Sequence, residues 1–272
     1  MRMKKRGIMK KGLILGLSCM MLGSTITITR AAENTKPLTD FGNVLDVTAD
    51  PKEKIYGTYS TNEYNNFSDM GAWHGYYLHQ KTATDLYGGF AGPVIIAEEY
   101  PINLSDSINK INLEKVTAQG NEKIDLTKAT TNEVYYPGRL EQTYDLAELT
   151  LKLIFGTNRS ALIETKIINK TNDDLKLNLS WDGHLFTWYT SENKSMGTTL
   201  SESADGVKVN FIEKRGTWEY MTTTENSFDV VLSEDDIKTT VSDDRLSYTI
   251  TKNESITIGA DSEYNTYQTQ SF

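Results

Sequence analysis

From Ile108 onward the chain alternates apolar and polar residues with a period of two. The runs INKINLEKV, EVYYPG, RLEQTYDL, LTLKLIF, ALIETKII and LKLNLSW all carry this pattern. Such alternation predicts strands with one face on a core and one in water. Turn chemistry separates the runs. Gly156-Thr157-Asn158 and Asn172-Asp173-Asp174 punctuate two pairs, and Asp205-Gly206 predicts a tight hairpin. All five prolines lie at or before Pro137. The second half is therefore free to donate every backbone N–H to a ladder. Only LSEDDIK, from Leu232 to Lys238, predicts a helical turn. No repeat of 20 to 50 residues is present, which disfavours solenoids and propellers. The fold class expected is all-β, a large antiparallel two-sheet β-sandwich.

The first residues read differently. Arg2, Lys4, Lys5, Arg6, Lys10 and Lys11 form a basic start, and Gly12 to Gly23 is an apolar run too short to span a bilayer. Thr29 and Ala31 are small residues at the places a signal peptidase reads. Residues 1–31 are expected to be a cleaved signal peptide, leaving no stable membrane span and a secreted or extracytoplasmic protein. Residues 32–65 read as a linker and edge segment, and 66–272 as the β-sandwich domain. Cys19, the single cysteine, lies in the leader. The mature chain then has no disulfide and no thiol chemistry.

Charge narrows the partners. The leader holds seven of the 28 basic residues and none of the 37 acidic ones, leaving 21 against 37, a net −16. Such a surface repels phosphate backbones, so nucleic acid is not expected as a partner. No cofactor and no metal are expected. The three histidines, His74, His79 and His184, have no zinc spacing, and no calcium loop is present. The glycines of YGGFAG lack the Lys-Ser/Thr ending of a phosphate loop.

The segment from Asn66 to Tyr100 concentrates candidate chemistry. Trp73, Tyr76, Tyr77, Tyr87 and Phe90 are interleaved with Gly71, Gly75, Gly88, Gly89 and Gly92. Sugar rings stack their C–H face on aromatics, and their hydroxyls seek Asp, Glu, Asn and His. Asp69, Trp73, His74 and Tyr76 supply that mix, and Trp181, Asp182, His184 and Trp188 supply a second. Trp181, at the end of an alternating strand, reads better as core. The expectation is that Trp73, Tyr76, Tyr77, Tyr87 and Phe90 form a contiguous, partly exposed aromatic surface with Asp69 and His74 at its rim, and Glu99 is a further candidate contact. His74 is expected to make one local hydrogen bond. Hydrolysis would need two carboxyls about 5–5.5 or 6.5–9.5 Å apart. Glu98 and Glu99, adjacent on a strand, would point to opposite faces; Asp69 with Glu99 remains a conceivable pair.

FSDMGAWHG at 67–75, YGGFAGPVIIAEEY at 87–100, SALIETKIIN, LSWDGHL and ADGVKVNF…RGTWEYMT stand in an order and spacing that resembles one family. This is the N-terminal β-domain of the bacterial YgjK-type glucosidases in glycoside hydrolase family 63. The resemblance covers most of the chain from Phe67 to the C-terminus. It implies a super-sandwich that packs on a helical (α/α)6 barrel, which carries the catalytic acid and base. No position here matches those two residues, so catalysis is not expected of this chain alone. Its expected partner is the barrel or an oligosaccharide. Three readings stay open: a non-catalytic glucosidase β-domain, a free carbohydrate-binding module, and a hydrolase using Asp69 and Glu99.

Overall fold

The structure is a computed structural model that describes residues 37–53, 65–97, 100–187, 197–211 and 227–272. The leader, Glu99 and Trp188 lie outside the described residues. The alternating runs all form strands: β4 (Lys110–Thr117), β6 (Thr131–Tyr136), β7 (Arg139–Tyr144), β8 (Leu149–Thr157), β9 (Ser160–Asn169) and β10 (Leu175–His184). In β9 intermediate and buried positions alternate along all ten residues. Leu149, Leu151 and Leu153 of β8 are fully buried, each contributing about 1.5–3 kcal/mol relative to exposure.

The remaining strands among the described residues are β1 (His74–Tyr77), β2 (Ala91–Ala97), β3 (Tyr100–Asn103), β5 (Gly120–Lys123), β11 (Thr198–Ser203), β12 (Gly206–Phe211), β13 (Ser227–Leu232), β14 (Ile237–Val241), β15 (Ser247–Lys252), β16 (Ile256–Ile258) and β17 (Ser262–Ser271). An eight-stranded sheet runs β11-β12-β13-β17-β9-β8-β7-β6. A six-stranded sheet runs β14-β15-β10-β4-β5, with β16 also on β10. Their inner faces share one core, with Trp181, Leu179 and Ile250 from one sheet and Leu151, Ile163 and Val230 from the other. The two-sheet sandwich is thus present, together with a small third sheet, β1-β2-β3.

The Asp205-Gly206 hairpin forms as expected, with Ser203 opposite Gly206. The LSEDDIK helix does not. Asp236 adopts a φ of 56°, and the Asn253 N–H donates to its carbonyl at 3.0 Å. That contact turns the chain into β14 instead of a helix.

The edge of the eight-stranded sheet is closed by the segment before it. The Asn43 N–H donates to the Tyr135 carbonyl at 2.7 Å, and the Tyr135 N–H donates to Asn43 Oδ1 at 2.8 Å. One asparagine thereby satisfies both free backbone groups of Tyr135 on the edge strand. Beyond it Thr48 pairs in parallel with Leu78, and Val47 and Ala49 are buried at 1% exposure.

Candidate functional site

Phe67 and Tyr76 pair across a hairpin whose turn is Asp69-Met70-Gly71-Ala72. The Ala72 N–H donates to the Asp69 carbonyl at 3.0 Å. Met70 and Gly71 both have positive φ, 55° and 71°, the shape of a primed turn. Glycine takes that conformation freely; methionine does not. Asp69 is exposed, and its Oδ1 accepts from the Met70 N–H at 2.7 Å. Trp73, just past the turn, is 49% exposed, and Met70 59%.

Apart from the half-buried Tyr87, the rest of the expected aromatic surface is core, which corrects that expectation. Tyr76 is 0% exposed, Phe90 and Tyr77 are 3% and His74 is 1%. The reason is that β1 is covered on both faces. Tyr76 faces the main core, while Tyr77 packs with Ala49, Ala91 and Val94 in a second cluster. His74 is not a rim residue. Its ring lies edge-on to Tyr76, Phe155, Phe228 and Phe272, and neither ring nitrogen has a hydrogen-bonding partner. The expected local hydrogen bond is absent, and burial lowers the His74 pKa to about 4. Tyr76 donates its hydroxyl to Gln270 Oε1 at 2.8 Å. Trp181 is core at 1% exposure. Asp182, outside it, accepts from the Asn112 amide, and His184 lies 3.2 Å from Asp106.

Two surface features remain. The first is apolar. Phe41, Val44, Leu45, Met70 and Trp73 make up five of the seven exposed large apolar side chains among the described residues. They fall on two segments, 37–45 and 69–73. Leu45 and Asp69 line one shallow depression of about 220 Å³ with Phe67, Tyr135 and Pro137, which brings the two segments together around the β6–β7 turn.

The second is a cleft of about 610 Å³, polar and apolar in nearly equal parts, between Asn43–Thr48, Leu78–Lys81, Tyr87 and Thr131–Glu133. Its floor is a paired histidine and carboxylate. His79 Nδ1 lies 3.0 Å from Glu133 Oε1, and the His79 backbone N–H donates to Glu133 Oε2 at 2.9 Å. His79 is 5% exposed, and its Nε2 has no partner. Behind the pair, Gln142 donates to the Gly89 carbonyl at 3.0 Å. Tyr144 donates to Gln142 Oε1 at 2.9 Å and accepts from the Gly88 N–H at 3.0 Å. Tyr87 is partly buried, edge-on to Tyr144 with ring centres 5.4 Å apart. Sequence reasoning singled out Tyr87 but missed the pairing of His79 with Glu133, which lie 54 positions apart. Among the described residues no group of three or more His, Cys, Asp or Glu could hold a metal ion.

Among solved structures the chain is similar to a polysaccharide lyase, with 8% identity and a TM-score of 0.44, covering 75% of this chain. It spans about a third of that lyase, 33% of its length. It is also similar to the Slr1438 protein of Synechocystis sp. PCC 6803, at 12% identity and a TM-score of 0.47 over 76% of this chain and 94% of that one. The family model described as glucosidase YgjK, N-terminal, matches residues 46–272, so the chain, from Asp46 through every strand to its final residue, belongs to the N-terminal domain family of the YgjK-type glucosidases.

Proposed function

We propose that this chain is the non-catalytic β-sandwich of a family 63-type glucosidase, and that it seats a helical catalytic barrel on the face formed by Phe41, Val44, Leu45, Met70 and Trp73. The barrel belongs to the same polypeptide or to another. The carrying observation is the gathering of most exposed large apolar side chains on two adjoining segments. Apolar side chains collected in this way mark interaction sites. Met70 strengthens the reading, because a mostly exposed methionine on a left-handed backbone is a costly choice for a turn. Hydrolysis then belongs to the barrel. Asp69 caps its own turn in open solvent, which is a structural use of its carboxylate. The expected export rests on the basic and apolar leader, and N-terminal sequencing of secreted protein should begin at Ala32 or Glu33.

The test is association with a purified barrel of a YgjK-type glucosidase. Trp73→Ala should weaken binding by about 2 kcal/mol, roughly 30-fold, as for a central anchor. Tyr267→Ala, exposed on β17 at 41%, should leave it unchanged. Equal binding by wild type, Trp73→Ala and Met70→Ala would remove this face from the interface.

A further inference from the structure

We propose that the cleft over His79 and Glu133 binds a neutral carbohydrate, one or two hexose units of an oligosaccharide, with Glu133 taking ring hydroxyls and Tyr87 supplying a stacking face. This goes beyond the docking role. The site rests on the geometry of the cleft, and only the choice of glucose oligosaccharides as probes rests on the family.

The cleft is of the size that holds small ligands, within the range of about 300–1,000 Å³. Its chemistry disfavours the other classes. The carboxylates of Asp46 and Glu133 outnumber the one ammonium, Lys81, on its walls, which disfavours an anion. A cation finds too few ligands, since Glu133 already accepts from two His79 donors and no metal-holding group of three is present among the described residues. An apolar ligand would match Leu45, Val47 and Leu78 but strand Asp46, Lys81 and Glu133, which line the same space. A neutral polyol satisfies them all, because each hydroxyl both donates and accepts.

The central group is ready before the ligand arrives. Each Glu133 oxygen accepts one bond from His79 and keeps a second lone pair. The Glu133 side chain is 14% exposed, so those lone pairs can meet adjacent hydroxyls from the cleft. Because a carboxylate only accepts, the 3.0 Å contact assigns the donating role to Nδ1 of His79, and its Nε2 has no partner. The polar chemistry of the ring is thus directed at holding the carboxylate. The Tyr87 ring lies 6.1 Å from that of His79, centre to centre. An oriented carboxylate beside an aromatic ring is what a sugar needs on its polar edge and its C–H face.

The experiment is a titration of the ¹⁵N-labelled full chain with maltose, nigerose and maltotriose. Binding is expected to be weak, with Kd on the order of 1 mM, and the shifted amides should cluster at His79, Tyr87, Asn132 and Glu133. Glu133→Gln should weaken it about tenfold or more. If that variant fails to fold, Thr131→Trp decides: two positions from Glu133 on β6, it shares that face and lines the cleft, and it should abolish the shifts. Trp73→Ala should leave sugar binding unchanged, which separates this site from the docking face. No shifts at tens of millimolar sugar, shifts mapping elsewhere, or full binding by Thr131→Trp would overturn the proposal.

Discussion

The hydroxyl of Tyr76 donates to Oε1 of Gln270 across 194 positions of sequence, in a place that water does not reach. The contact ties the small sheet to the last long strand. It continues a buried polar seam in which Gln270 Nε2 approaches Gln268 Oε1 and Asn109 donates to the same oxygen at 2.6 Å. Tyr76→Phe keeps the ring and strands part of that seam. It should destabilise the domain by about 1–2 kcal/mol, read as a lower urea midpoint at unchanged slope. A change below about 0.5 kcal/mol, the usual range for inconsequential sites, would show that the seam does not depend on this hydroxyl.

His74 makes stability depend on pH. Its folded pKa is about 4 because burial disfavours the charged ring, against about 6.5 when unfolded. The unfolded chain therefore binds a proton that the native chain refuses. The contribution is complete above about pH 6.5 and is lost as pH falls toward about 4, amounting to roughly 3 kcal/mol. Denaturant midpoints of wild type and His74→Phe should lie close at neutral pH, where neither ring nitrogen has a partner to lose, and separate as pH falls toward 4, the wild type dropping and the variant not. Parallel profiles would rule out this histidine as the cause.

Gly183 lies on β10 under the Ile108 carbonyl, which also accepts from the Tyr248 hydroxyl at 2.6 Å. A Cβ at position 183 would stand 1.8 Å from that carbonyl oxygen. Neither the strand nor the pinned carbonyl can yield cheaply. Gly183→Ala should cost more than about 3 kcal/mol, in the range of the most damaging core changes, and thermal melting of the purified variant checks it.

Much of this architecture was legible in the chain. β8, β9 and β10 sit where period-two alternation placed them, because each has one wet and one dry face. The glycine-rich segment resisted the same reading. In β1 all four residues are buried, so no alternation separates Tyr76 inside from Trp73 outside, only three positions away. The His79–Glu133 pair was invisible for another reason: their meeting depends on where Leu78–Lys81 crosses the edge strand, and nothing local to either residue records that.

Met70 carries two opposed expectations. Its φ of 55° costs about 1 kcal/mol for a residue with a side chain. Met70→Gly should therefore raise the melting temperature of the isolated domain, while weakening its association with a catalytic barrel. A variant that melts lower would mean that the thioether supports the domain itself.

Asn43 occupies the edge of β6 with its backbone and its side chain together, and the same short segment holds Phe41, Val44 and Leu45 at the surface. A boundary drawn at Asn66 would therefore cut through the working protein. A chain trimmed to begin there would expose the raw margin of its largest sheet to other molecules, lose Val47 from its interior, and no longer carry three of the side chains through which it is expected to meet its neighbour. Solubility and assembly would fail together, for the loss of what reads as a mere leader to the fold.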